Sequence, residues 1–207
     1  MEIKDPKESA NFIANVADHV QINDEGVEKC AQEILKRVND KRLSLSLKLY
    51  KDSGVHPLDI EDKDIEWVFV VSALNFSFWE EPGDKPYLVT YKGKTHHGYM
   101  SMCAAINRCL DQGVNLTEPK VYGNITEDRL NSYLMGDNAV PIPMLKERLQ
   151  CLHDIAQVLN DKYAGKFANC LRECSSAQEL LKRTVEEFPC FDDSHFYKAK
   201  KLAIHKR

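Results

Sequence analysis

A chain of 207 residues and 23.7 kDa, with 43% hydrophobic and 29% charged residues, is large enough to bury a core as one domain and has the composition of an ordinary soluble protein. A net charge of −4 and a pI near 6.0 argue against extended tracking along a nucleic-acid backbone, which needs a basic field, and leave room for one small phosphorylated ligand. No apolar run reaches bilayer length, and the opening "MEIKDPKESANFIANVADHV" has neither a signal-peptide core nor the Arg-rich look of a transit peptide, so the expected location is cytoplasmic or nuclear. In that setting the seven cysteines are expected as reduced thiols, and the sequons at Asn75, Asn115 and Asn124 as chance matches.

The first element is a helix opened by Asp5 and Pro6, with Glu8 closing a capping box and Phe12, Ile13 and Val16 giving the apolar stripe. A second begins at Asn23 or Asp24, repeats Val27, Cys30, Ile34, Leu35 and Val38 at helical spacing, and ends in the basic "KRVNDKR" that the helix dipole favours. "SLSLKLY", 44–50, alternates as a short strand or forms a helical turn, and "DSGVHP" then breaks the chain. The most apolar segment, Asp62 to Trp79, contains no Gly or Pro and predicts a buried helix over its whole length.

After Pro82, Gly83 and Pro86, "YLVTYKGKTHHGY" predicts an antiparallel hairpin turning at Lys92-Gly93. Gly98 releases a helix to about residue 112, with Gly113 as its stop, and a short helix follows around Leu130 to Leu134. "GDNAVPIPM" is the most linker-like break, although more apolar than a flexible linker. Helices are expected over Met144 to Tyr163, stopped by Gly165, and over Ser176 to Glu187, boxed by Ser176 and Glu179. The tail "FYKAKKLAIHKR" alternates weakly. The sum is a mainly α protein with a small antiparallel β-hairpin, in a single domain over 1–207.

On a helix from 62 to 79, Ser72, Asn75 and Trp79 share one stripe and Trp67, Val71, Leu74 and Phe78 another, which places Asn75 inside. Two readings follow. Asn75 is a core amide bonded to backbone carbonyls, with Ser77 bonding back to the preceding turn; or the aromatics form a wall on which Asn75 recognises a planar, hydrogen-bonding ligand such as a nucleobase.

His96 and His97 are adjacent in a strand, so their rings point to opposite faces and share no metal. Cys170 and Cys174 lack the spacing of a zinc knuckle, and the acidic pairs Glu80-Glu81 and Asp192-Asp193 read as solvated turns. No glycine-rich phosphate loop, nucleophile elbow or zinc-protease motif is present. These residues call for neither a metal nor a cofactor.

Three blocks in order, "IEWVFVVSALNFSFW", "VTYKGKTHHGYMSMCAAINRCLDQGVNLT" and "FANCLRECSSAQELLKRTVEEFP", resemble the queuosine salvage protein family, the queuosine 5'-phosphate N-glycosidases, from about Ser9 onward. The resemblance implies a helical fold distantly similar to DNA glycosylases, and hydrolysis that frees queuine from its ribose phosphate for reuse in tRNA modification. It implies a substrate site in which Asn75, Phe78 and Trp79 face a flat 7-deazaguanine, with His56 near the place of a base-contacting histidine.

Lys92, Lys94 and Lys206-Arg207 are candidates for the 5'-phosphate. The resemblance covers about three fifths of the family's length by its implied alignment, with no matched catalytic carboxylate, so the catalytic residue is unknown at this stage. Exposed apolar surface beside Trp67 to Trp79 and the tail, allowing self-association, is then expected. The opposed reading is a non-catalytic helical interaction module.

Overall fold

The computed structural model describes residues 2–40, 52–57 and 61–205; the 44–50 stretch and Lys206-Arg207 lie outside them. In chain order the elements are β1 (Glu2–Ile3), α1 (Pro6–Val16), α2 (Asp24–Asn39), α3 (Asp62–Ala73), β2 (Leu88–Tyr91), β3 (Lys94–His97), α4 (Gly98–Asp111) and α5 (Pro119–Tyr122). Then come α6 (Glu127–Leu134), α7 (Leu145–Lys162), α8 (Phe167–Arg172), α9 (Ala177–Glu187), β4 (Ser194–Tyr197) and β5 (Lys200–Ala203). The protein is mainly α, and none of the described helices is long and apolar enough to cross a membrane. The chain divides into two compact units, residues 1–52 with 193–206, and residues 53–192.

In the first unit, Asp5 caps α1 by accepting from the N–H groups of Lys7 and Glu8 at 2.7 and 3.0 Å, and Asn23 caps α2 by accepting from Gly26 at 2.8 Å. The weakly alternating tail forms a hairpin, β4–β5, with β1 parallel to β5 on its other side. The turn residues Lys198 and Ala199 both lie in the left-handed region, at φ 43° and 61°. Lys198 supports that turn, donating to the Val16 carbonyl and pairing with Asp18 at 3.1 Å. The apolar positions of α2, Val27, Ile34, Leu35 and Val38, are exposed.

The second unit holds the larger core. Helix α3 starts at a capping box in which the Glu61 N–H donates to Asp64 at 3.0 Å. It buries Trp67, Phe69, Val70, Val71 and Ala73, and against it packs α4 with Met102 to Ile106 and Cys109. Phe69 stacks on Phe167 with ring centroids 3.8 Å apart and meets Phe188 edge-on at 5.0 Å, fastening α8 and the end of α9 to α3. The Glu66 carboxylate accepts from the N–H groups of Phe167 and Ala168, both at 2.9 Å, and so caps α8 from another helix.

The hairpin forms as its sequence predicts, with Lys92 and Gly93 both at positive φ. Segment 136–144 is no linker. A Cβ on Gly136 would meet the Val140 and Leu88 carbonyls at 2.8 and 3.0 Å, so only glycine fits there. Asp137 accepts from Thr90 N–H and from Arg108 Nη1, both at 2.6 Å, while Arg108 Nη2 donates to the Met135 carbonyl at 2.9 Å. This bracket ties β2, α4 and the 136–144 segment together.

Partial burial works to raise the Asp137 carboxyl, but hydrogen bonds from Thr90 and the Arg108 guanidinium outweigh it and hold the group below its usual range. A carboxyl depressed on folding adds stability above its unfolded pKa, and that contribution is lost as pH falls through the folded value. Asp137→Asn should therefore lower the urea midpoint at neutral pH, and the difference from wild type should shrink on acidification below about pH 4. A gap independent of pH would rule out the bracket.

Candidate functional site

The aromatic stretch does not continue α3. The helix ends at Ala73, and residues 74–79 form an open turn in which Ser77 takes φ 40°. The cause is Arg148 on α7, fully buried among these residues. Its Nη1 donates to the Leu74 carbonyl, its Nη2 to those of Phe76 and Ser77 at 2.5 and 2.9 Å, and its Nε to Pro143 at 2.8 Å. These bonds draw carbonyls away from a helical ladder and satisfy them instead.

The guanidinium carbon also lies 4.4 and 4.5 Å from the ring centroids of Phe76 and Phe78. Both rings are thereby engaged with the cation. Asn75, expected on the inside of a helix, points outward instead, and Trp79 beside it is 86% exposed. The turn thus presents one indole and one carboxamide from a rigid base.

His56 lies in the same unit. Its Nδ1 is 3.0 Å from Ser53 Oγ and its Nε2 3.1 Å from Tyr99 Oη, with the ring edge-on to Trp67 at 5.6 Å. Burial pushes its pKa below the ordinary histidine value. Trp67 in turn donates to Asn107 at 2.8 Å, and Asn107 donates to the Val55 carbonyl at 2.7 Å, which closes the histidine loop onto α3 and α4. Gly98, at φ 54°, starts α4 and lies with its Cβ position 3.6 Å from Phe78, and the next residue, Tyr99, reaches His56. The first turn of α4 therefore touches both parts of the expected site, the histidine loop and the aromatic turn.

Other expected residues are scattered. His96 is buried and His97 exposed, on opposite faces of β3. Lys92 and Lys94 are exposed at the hairpin, Lys92 with its ammonium 5.0 Å over the Tyr91 ring. The Cys174 thiol donates to the Cys170 carbonyl at 3.3 Å, and no disulfide joins any of the seven cysteines. Glu80 and Glu81 are exposed.

Sequence reasoning passed over two features. One is Arg148, whose only signal is a basic residue on the inner stripe of an amphipathic helix. The other is a cavity of about 550 Å³ between α3, α8 and α9, lined by Phe69, Phe167, Phe191, Val68 and Leu181, with Asp64 among its few polar groups.

Comparison with known proteins gives a consistent picture. The family described as queuosine salvage protein matches residues 55–207. A relative from Bos taurus, "Queuosine 5'-phosphate N-glycosylase/hydrolase", is 36% identical over 206 residues, covering 98% of this chain and 59% of its own length. Proteins of the same name from Mus musculus and Sphaerobacter thermophilus are 34% and 30% identical, covering 98% and 74% of this chain and 59% and 46% of their own. The chain thus spans less than two thirds of these relatives.

The geometry of the turn can be checked by fluorescence. Trp67 is 4% exposed and Trp79 86%, so Trp79→Phe should remove the acrylamide-quenchable, red-shifted part of the emission and leave a blue, protected remainder. Arg148→Lys keeps the charge but loses the fork, leaving buried carbonyls without donors, and should cost about 3 kcal/mol of unfolding free energy in urea. A cost near zero would show that Arg148 does not hold the turn.

Proposed function

The chain belongs to the queuosine salvage protein family, and we propose that it acts in the hydrolysis of queuosine 5'-phosphate, releasing queuine for reuse in tRNA modification. The observation that carries this reading is the Arg148-held turn, which turns Trp79 and Asn75 outward beside the first turn of α4. A flat deazapurine stacks on an indole face, and a carboxamide matches the donor and acceptor pattern of its edge. Phe78 stiffens the turn through its contact with the guanidinium, and His56 orders the neighbouring loop.

In the reaction the bond between the anomeric carbon and the base nitrogen breaks, water adds to the sugar, and the base leaves with a proton. Positive charge builds on the ribose, and a carboxylate must face it. None of His56, Asn75, Phe78 and Trp79 is an acid, so these four supply binding and orientation. Lys92 and Lys94, exposed on the hairpin, are the candidates for the phosphate among the described residues. The reaction belongs in the cytosol or nucleus, where the seven cysteines stay reduced, and the exposed Val68 and Trp79, with Phe196 and Ile204 in the tail, give a route to self-association.

Incubation of the 207-residue chain with queuosine 5'-monophosphate, beside a full-length relative, tests the activity by chromatographic detection of queuine. Release at a comparable rate supports hydrolysis by these residues; none, with the relative active, overturns it and favours the non-catalytic helical module. Calorimetric titration with queuine tests the site separately. Trp79→Ala and Asn75→Ala should each weaken binding about tenfold, the equivalent of one good contact, with unchanged unfolding midpoints because both side chains are exposed.

A further inference from the structure

Helix α2 buries none of its residues, yet its sequence is built to bury one side. Val27, Ala31, Ile34 and Val38 recur at spacings of four, three and four, with Cys30 and Leu35 flanking the stripe. Val27, Ile34, Leu35 and Val38 are each at least half exposed. The rest of the helix surface is polar and carries pairs of its own, Lys29 with Glu25 at 2.6 Å, Arg37 with Glu33 at 2.8 Å and Gln32 with Glu28 at 2.9 Å. Such exposed pairs contribute little, and a helix of 16 residues is marginal alone in water, so the stripe calls for a partner.

The charges choose among partners. A helix that lies on a membrane surface is rich in Lys and Arg on its polar face, whereas α2 carries four acids, Asp24, Glu25, Glu28 and Glu33, against three bases, Lys29, Lys36 and Arg37. Anionic lipid would repel it. The same charges are unevenly placed: Asp24, Glu25 and Glu28 lie in the first half, and Lys36 and Arg37 in the second. A partner that complements this pattern is basic where α2 begins and acidic where it ends, which describes α2 itself reversed in direction.

The apolar stripe has the same symmetry. About a two-fold axis between Gln32 and Glu33, an antiparallel copy sets Val27 opposite Val38 and Ala31 opposite Ile34, each twice, so that a small residue meets a large one at the centre. The helix dipoles then also run in opposite directions. A parallel pair would set acidic end on acidic end and basic on basic.

We infer that α2 is a dimerisation helix, which pairs antiparallel with α2 of a second copy of this chain. One pair of such helices falls below the roughly 1,200 Å² of a stable interface, so the dimer is weak and depends on concentration. The stripe shares no residue with Val68, Trp79 or the tail, and the inference is independent of the activity proposed above.

Sedimentation velocity of the full 207-residue chain over a concentration series tests it. The wild type should pass from monomer to dimer with a dissociation constant on the order of 100 μM. Ile34→Gln with Leu35→Gln, which keeps good helix formers at exposed positions, should weaken the dimer at least about 100-fold with unchanged circular dichroism. Lys36→Glu with Arg37→Glu makes α2 acidic throughout and should weaken self-pairing about tenfold, and mixing that variant with Glu25→Lys, Glu28→Lys chains should restore a dimer of the two. An unchanged dimer in the Lys36→Glu, Arg37→Glu variant would indicate parallel pairing and overturn the arrangement. A wild type that stays monomeric overturns the inference, as does a dimer that survives the α2 substitutions and is lost in Phe196→Ser, or a chain that leaves solution with phosphatidylserine vesicles through the stripe.

Discussion

A guanidinium with no route to water must be satisfied by what surrounds it, and in this protein that requirement shapes the polypeptide around it. Arg148 comes from the first half of α7, and its donors reach carbonyls of Leu74, Phe76, Ser77 and Pro143. Two of its faces lie against phenylalanine rings. Desolvating such a cation costs several kcal/mol unless its hydrogen bonds are made, so the helix end at Ala73, the left-handed Ser77 and the path of residues 143–148 form one cooperative arrangement. Removing any part leaves either a buried charge or buried carbonyls unsatisfied. The position of Trp79 is a product of that arrangement.

The helical parts of the fold were legible in the sequence wherever local signals agreed with tertiary demands. Asp5-Pro6, Asn23 and Ser176 cap where their types predict, although the reciprocal half of the last box comes from Ser175 donating to Glu179. Lys92-Gly93 turns as a two-residue hairpin should. The β4–β5 hairpin was missed because its turn is Lys198-Ala199, two residues that normally avoid positive φ and so give no turn signal. Apolar run length overextended α3 to Trp79, since periodicity carries no record of a cation seventy residues downstream.

The candidate site divides the same way. Residue types such as Asn75, Phe78 and Trp79 drew notice as an aromatic string with an amide, and His56 through family resemblance. Their partners did not. Tyr99, Asn107 and Arg148 act through contacts between residues far apart in sequence, which no spacing rule encodes. The "GDNAVPIPM" segment showed as a break more apolar than a flexible linker, but the reason it is held was not legible: Gly136 is where backbone comes too close for a side chain, and Asp137 bridges two elements.

The Glu66 carboxylate has a further bearing on how a phosphorylated molecule could be held. The exposed N–H groups at the start of a helix are a natural receptor for anions, and at α8 two of them already face a carboxylate tethered to α3. A tethered group competes at an effective concentration in the millimolar range. A diffusing phosphate would have to displace it and strand its charge within the protein. The helix end is therefore a receptor already filled by its own chain.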